Sequence, residues 1–91
     1  MQVVWTEAAL ADLDEVLAYT AEQYPSLVDA VERCIRAVVE RIGRSPESAR
    51  VVEERAGVHV VPLIRYPYRV FYRAHAGRVE ILRVHHAARD D

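Results

Sequence analysis

Ninety-one residues, about half of them apolar, suffice for one compact domain spanning 1–91 with little stability to spare, so a chain of this size is expected to act with a partner. No apolar run approaches the roughly 18 residues of a membrane span, no basic leader precedes the first strand-like segment, and a lone cysteine, Cys34, excludes an internal disulfide framework. A soluble, cytoplasmic protein is expected, and a net charge of −2 excludes the strongly basic balance of a protein that lives on nucleic acid.

The charge is unevenly spread. Residues 1–49 carry four arginines against nine acids, whereas residues 50–91 carry eight arginines against five acids. One surface should therefore attract anions and another repel them. All twelve cations are arginine; the side chain suits carboxylate or phosphate, although a GC-rich genome would produce the same bias.

Val3, Val4 and Trp5 form a short strand, with Trp5 as core material, ahead of Thr6, a helix N-cap that places Glu7 in the first turn. Leu10, Leu13, Leu17, Ala21 and Tyr24 then recur at helical spacing, while Asp12, Asp14, Glu15 and Glu22 fall elsewhere around the wheel. Pro25 ends this helix, and Ser26 with Asp29 has the capping-box spacing of a second one. Its apolar stripe runs through Leu27, Val31, Cys34, Ile35, Val38 and Ile42, with Gly43 as the closing left-handed residue. So short a connection makes an antiparallel helical hairpin.

Residues 43–57 read as a loop, with a helical turn or an edge strand Arg50-Val51-Val52 as alternatives. Val58 to Ile64 is a strand in which Pro62 marks an edge or a bulge. Two further strands follow, from near Tyr68 and from Val79, joined through His75-Ala76-Gly77 as a three-residue loop. That register pairs Arg69 with Arg83, a repulsive pairing that makes sense only around a bound anion; a two-residue loop would break it. The fold class is therefore α+β, in the order β-α-α-β-β-β, with the helical hairpin packed on one face of a small antiparallel sheet.

Alternation sends Tyr66, Tyr68, Val70 and Tyr72 toward the helices and Arg65, Arg69, Phe71 and Arg73 to the other face, where Arg83 joins them. Arg65, Arg69, Arg73 and Arg83 would then converge on phosphate or on a partner's carboxylates; an ordinary solvated sheet face is the plainer alternative. His85 and His86 are adjacent, point to opposite faces and cannot share one metal. Either could serve as a general acid or base, or simply make a structural hydrogen bond. Cys34 packs as a small hydrophobe. No metal site, glycine-rich phosphate loop or serine hydrolase motif is present, and no cofactor is implied.

The element order, together with Trp5-Thr6, Ala9, Asp12-Leu13, Tyr19, Arg50, Tyr68-Arg69-Val70-Phe71-Tyr72 and Val79-Glu80-Ile81-Leu82-Arg83-Val84, resembles the RelE/ParE superfamily of bacterial toxins over nearly the whole chain. The resemblance implies the toxin of a type II toxin-antitoxin pair, neutralised by an antitoxin that wraps over the sheet and the helical hairpin. Members divide into ribosome-dependent messenger RNA endonucleases, resembling RelE, and inhibitors of DNA gyrase, resembling ParE. In the nuclease branch Arg69 matches the arginine that serves the phosphate, and Arg83, His85 or His86 would assist it. Lysine is missing, however, and no tyrosine follows Tyr72, both departures from that branch. The ending Arg83-Val84-His85-His86-Ala87-Ala88-Arg89-Asp90 looks like the Arg-Val-x-His-x-x-x-Asp tail of ParE-like members. The resemblance therefore implies a gyrase inhibitor, with Arg65, Tyr68, Arg69, Phe71, Arg73, Arg83, His86 and Arg89 contacting antitoxin or target.

Overall fold

A computed structural model describes residues 1–52 and 54–88. Strand β1 (Gln2–Trp5) leads into helix α1 (Glu7–Gln23), a 3-10 turn at Pro25–Leu27 leads into helix α2 (Val28–Arg44), and strands β2 (Arg50–Val51), β3 (Val58–Pro62), β4 (Tyr68–His75) and β5 (Arg78–His86) follow. The strands form one sheet in the order β1-β5-β4-β3-β2. Neighbours from β2 to β5 are antiparallel, but β1 runs parallel to β5, pairing Trp5 with Ile81, so the sheet is mixed and not wholly antiparallel. The Arg50-Val51 alternative is realised as the short outer strand β2. Its pairing stops at Arg50 opposite Val60, so Pro62 falls where β3 has no outer neighbour and no ladder donor is needed.

Both helices pack on one sheet face. Leu13 and Val16 of α1 and Val31, Ile35, Val38, Val39 and Ile42 of α2 form one core with Val61, Leu63, Tyr68, Val70, Tyr72, Val79, Ile81 and Val84. Each such side chain withdrawn from water contributes about 1.5–3 kcal/mol before entropy is charged against it. Thr6 caps α1 as expected: its Oγ1 accepts from Ala9 N at 3.1 Å and donates to the Ile81 carbonyl at 2.8 Å. The cap thus also anchors the helix start to β5, just where β1 ends.

The phase of α1 differs from the expected stripe. Its buried face runs through Ala9, Asp12, Leu13, Val16 and Thr20, whereas Leu10, Ala21 and Tyr24 are exposed and Leu17 is only half-buried. Small residues allow close approach of α1 to the sheet, and the larger apolar ones are left on its flank. Ser26 does not cap α2, which starts at Val28 with no side-chain cap bond. Gly43 does not close α2 either; it lies within the helix against β1, where a Cβ would come within 2.9 Å of Val3 Cγ2. Close approach, and not a left-handed backbone, explains that glycine.

The β4–β5 turn has two residues, Ala76 (φ 52) and Gly77 (φ 78), both left-handed, as tight hairpins require. His75 therefore pairs with Arg78 and Arg73 with Glu80, and one extra residue in β5, Leu82, separates Ile81 opposite Tyr72 from Arg83 opposite Phe71. The proposed Arg69–Arg83 pairing does not occur. Arg69 lies opposite His85. Among the described residues no helix is long and apolar enough to cross a membrane.

Candidate functional site

Strict alternation along β4 sets the composition of the sheet face turned away from the helices. Tyr68, Val70 and Tyr72 enter the main core, so Arg69, Phe71 and Arg73 emerge opposite. Phe71 does not stand out as an exposed contact: it is 8% exposed and packs with Val58, Val60, Val52 and Leu82 as a second, smaller apolar cluster. The Arg69 guanidinium carbon lies 5.9 Å from the Phe71 ring centroid, and the His85 ring lies 5.3 Å from the same ring. Arg69, Phe71 and His85 thus form one compact group, with Arg73 exposed beside it.

The remaining arginines go elsewhere. Arg65 sits in the turn before β4, not on a strand, at the rim of a recess that Cys34, Val38, Arg41 and Ile64 also line. Arg83 is drawn to α1, where its Nε donates to Asp12 Oδ2 at 2.8 Å and its Nη2 to Oδ1 at 3.0 Å. Of the four arginines expected on one face, Arg69 and Arg73 stand there, Arg83 leaves β5 on that same side opposite Phe71 but turns its guanidinium at the strand edge to Asp12, and Arg65 lies off the sheet. The bulge in β5 sets Arg83 opposite Phe71 instead of Val70, and the Asp12 carboxylate then draws its guanidinium to the strand edge.

Asp12 was placed on the solvent side by sequence reasoning, yet it is 7% exposed. Its Oδ2 also accepts the Val84 N–H at 2.9 Å, closing the β5 edge beyond the end of β1. Burial pushes the carboxyl upward, but the hydrogen bonds from Arg83 and Val84 and the charges of Arg83 and His85 outweigh it and hold Asp12 below its ordinary value. The available signal was its spacing from Ala9 and Val16, three and four residues away on the same helical face.

His85 and His86 do part to opposite sides, His85 toward Phe71 and His86 toward Tyr68, with ring centroids 5.4 Å apart in the latter pair. Burial raises the Tyr68 hydroxyl above its ordinary value, opposed by a hydrogen bond with Thr20. Of the residues weighed for nuclease chemistry, Arg69 and His85 meet, Arg83 leaves the same face but is held by Asp12 at the strand edge, and His86 lies on the helix side. Arg89 lies outside the described residues. Among those described, no group of three histidine, cysteine or acidic side chains gathers as a metal site.

A groove of about 450 Å³ that sequence reasoning missed runs along the outer edge of β3 past the end of β2. Ile42, Val60, Val61 and Pro62 give it an apolar floor, and Arg41, Arg50 and Arg69 stand around it. Its three cations come from α2, β2 and β4, so no local motif announces it. Beneath it the Tyr72 hydroxyl donates to the Pro46 carbonyl, and the His59 ring stacks on Tyr72 at 5.0 Å with Nδ1 3.1 Å from the Ala49 carbonyl. These contacts fix the segment between α2 and β2.

Comparison with known proteins agrees with this geometry. The family model described as the ParE toxin of type II toxin-antitoxin system, parDE, matches residues 3–91. The chain is 33% identical over 89 residues to Toxin RelE2 of Caulobacter vibrioides, covering 97% of each protein. Among solved structures, the chromosomal ParDE system of P. aeruginosa superposes with a TM-score of 0.84 at 25% identity, covering 94% of this chain and 95% of that one. The RelBE2 toxin-antitoxin complex of Mycobacterium tuberculosis gives 0.60 at 26% identity, covering 93% and 95%. The isolated E. coli RelE toxin gives 0.69 at 17% identity, covering 99% and 87%, a likeness of fold.

Proposed function

This chain belongs to the ParE toxin family of type II toxin-antitoxin systems, and from that premise we propose that it arrests growth by binding and inhibiting DNA gyrase, without cleaving RNA, until a cognate antitoxin covers it. The observation that carries the choice of target is the dispersal of its cations and histidines. Cleavage of RNA by its own 2'-hydroxyl needs a base, an acid and phosphate-binding cations around one scissile bond. Here Arg83 is engaged by Asp12 at the β5 edge, and His85 and His86 serve opposite sides of the sheet. What remains is a surface suited to holding a partner: Arg69 and Arg73 beside Phe71, continuous with the arginine-rimmed groove at the β3 edge.

An antitoxin partner is supported by the two toxin-antitoxin systems among the structural neighbours. The arginine-bearing face is where its acidic side chains would dock. Purified protein should inhibit gyrase supercoiling, and antitoxin should relieve the inhibition. Absence of inhibition by protein that still binds antitoxin would refute the gyrase reading.

The likeness to a protein named RelE2 keeps one other reading in play, a ribosome-dependent messenger RNA endonuclease. The pairing of Arg69 with His85 across β4 and β5 is what favours it. Cleaved message in a translation extract, lost on Arg69→Ala, would establish that activity.

A further inference from the structure

We propose that the small recess between α1, β4 and β5 receives the guanidinium of an arginine side chain presented by a protein partner. This deepens the toxin reading, and rests on it only for the partner being a protein. The recess holds about 140 Å³, room for a side-chain head group and not for a nucleotide. Its apolar lining comes from Val16 and Val84, its aromatic lining from Tyr19, Tyr68 and His86, and its acidic lining from Asp12 and Glu15.

The sign of the ligand follows from the charges. Asp12 is occupied by Arg83 and the Val84 N–H. Glu15, one turn further along α1 and exposed, takes part in no ion pair among the described residues. Tyr19 follows at the i+4 position on the same helical face. His86 Nδ1 accepts the Ala88 N–H at 3.1 Å, which fixes the ring against Tyr68. One unengaged carboxylate beside the two tyrosine rings attracts a cation, and an anion would meet Glu15 with no arginine in the lining to offset it. Arginine fits better than lysine because a planar guanidinium stacks on rings while forking to a carboxylate. The sheet's arginine-bearing face and this recess thus select opposite charges, which gives a partner a fixed orientation.

The test uses the intact folded chain and the ring resonances of Tyr19, Tyr68 and His86. Nα-acetyl-arginine methylamide is titrated in, with the uncharged citrulline analogue as control. Saturable shifts are expected with the arginine compound, about tenfold weaker with citrulline, and weakened to the same degree by Glu15→Gln or Tyr19→Ala with circular dichroism unchanged. Equal responses to the two compounds, no saturable response, or a response that survives both substitutions would overturn the proposal. None of these outcomes bears on the gyrase assay, so the two readings fail separately.

Discussion

Asp12 and Arg83, 71 positions apart in sequence, meet as a two-pronged ion pair whose carboxylate also accepts a backbone N–H of β5. The pair joins the second turn of α1 to the strand edge that β1 leaves uncovered. Asp12→Ala removes a nearly buried acceptor and strands the Val84 N–H, so it should cost about 1–3 kcal/mol. Arg83→Ala should also lower the urea midpoint, because that guanidinium is structural, whereas the exposed Arg73→Ala should stay within about 0.5 kcal/mol. Equal midpoints for all three proteins would contradict the pair's role.

Acid should find the same contact. Asp12 is held below its ordinary value in the folded state, so its contribution is complete above the unfolded carboxyl value and is lost as pH falls through the folded one. Stability should fall as pH drops below about 4, the ordinary carboxyl value, and Asp12→Asn should flatten part of that slope. Unfolding midpoints measured across this range for both proteins decide the matter.

The revised phase of α1 orders three leucines. Leu13, 4% exposed, should cost about 2–5 kcal/mol on truncation to alanine. Leu17→Ala should cost less, since that side chain is half-buried, and Leu10→Ala, with Leu10 47% exposed, within about 0.5 kcal/mol. A reversed order in chemical denaturation would restore the stripe expected from sequence.

Arg69→Ala gives up, among its contacts, one with Phe71 worth about 0.5–1 kcal/mol, and circular dichroism should show the fold retained. Antitoxin affinity and gyrase inhibition should both fall. A variant that inhibits gyrase as well as the parent would remove Arg69 from the docking surface.

Much of the fold could be read from local pattern. Thr6 as a cap, two amphipathic helices broken at Pro25 and a terminal hairpin all follow from spacing and backbone chemistry. Errors arose where the deciding contact is remote or the deciding residue is small. Nothing local tells that β1 will lie parallel to β5, or that Ala9 and Thr20 are buried in preference to Leu10 and Tyr24. Ala76 adopts a left-handed backbone that its side chain disfavours, so the two-residue turn was hidden and the register after it shifted. For the site, alternation correctly put Arg69 and Arg73 on one face, but Arg83 depended on a bulge and on a buried aspartate that helical charge patterning assigned to water.

The parallel partnership of β1 with β5 joins residues 2–5 to residues 78–81. During synthesis the opening strand can rest on α2 but has no ladder partner until β5 has left the ribosome, so its pairing closes a connection between residues far apart in sequence. A product lacking β5 therefore leaves β1 without its strand neighbour and cannot form the finished sheet.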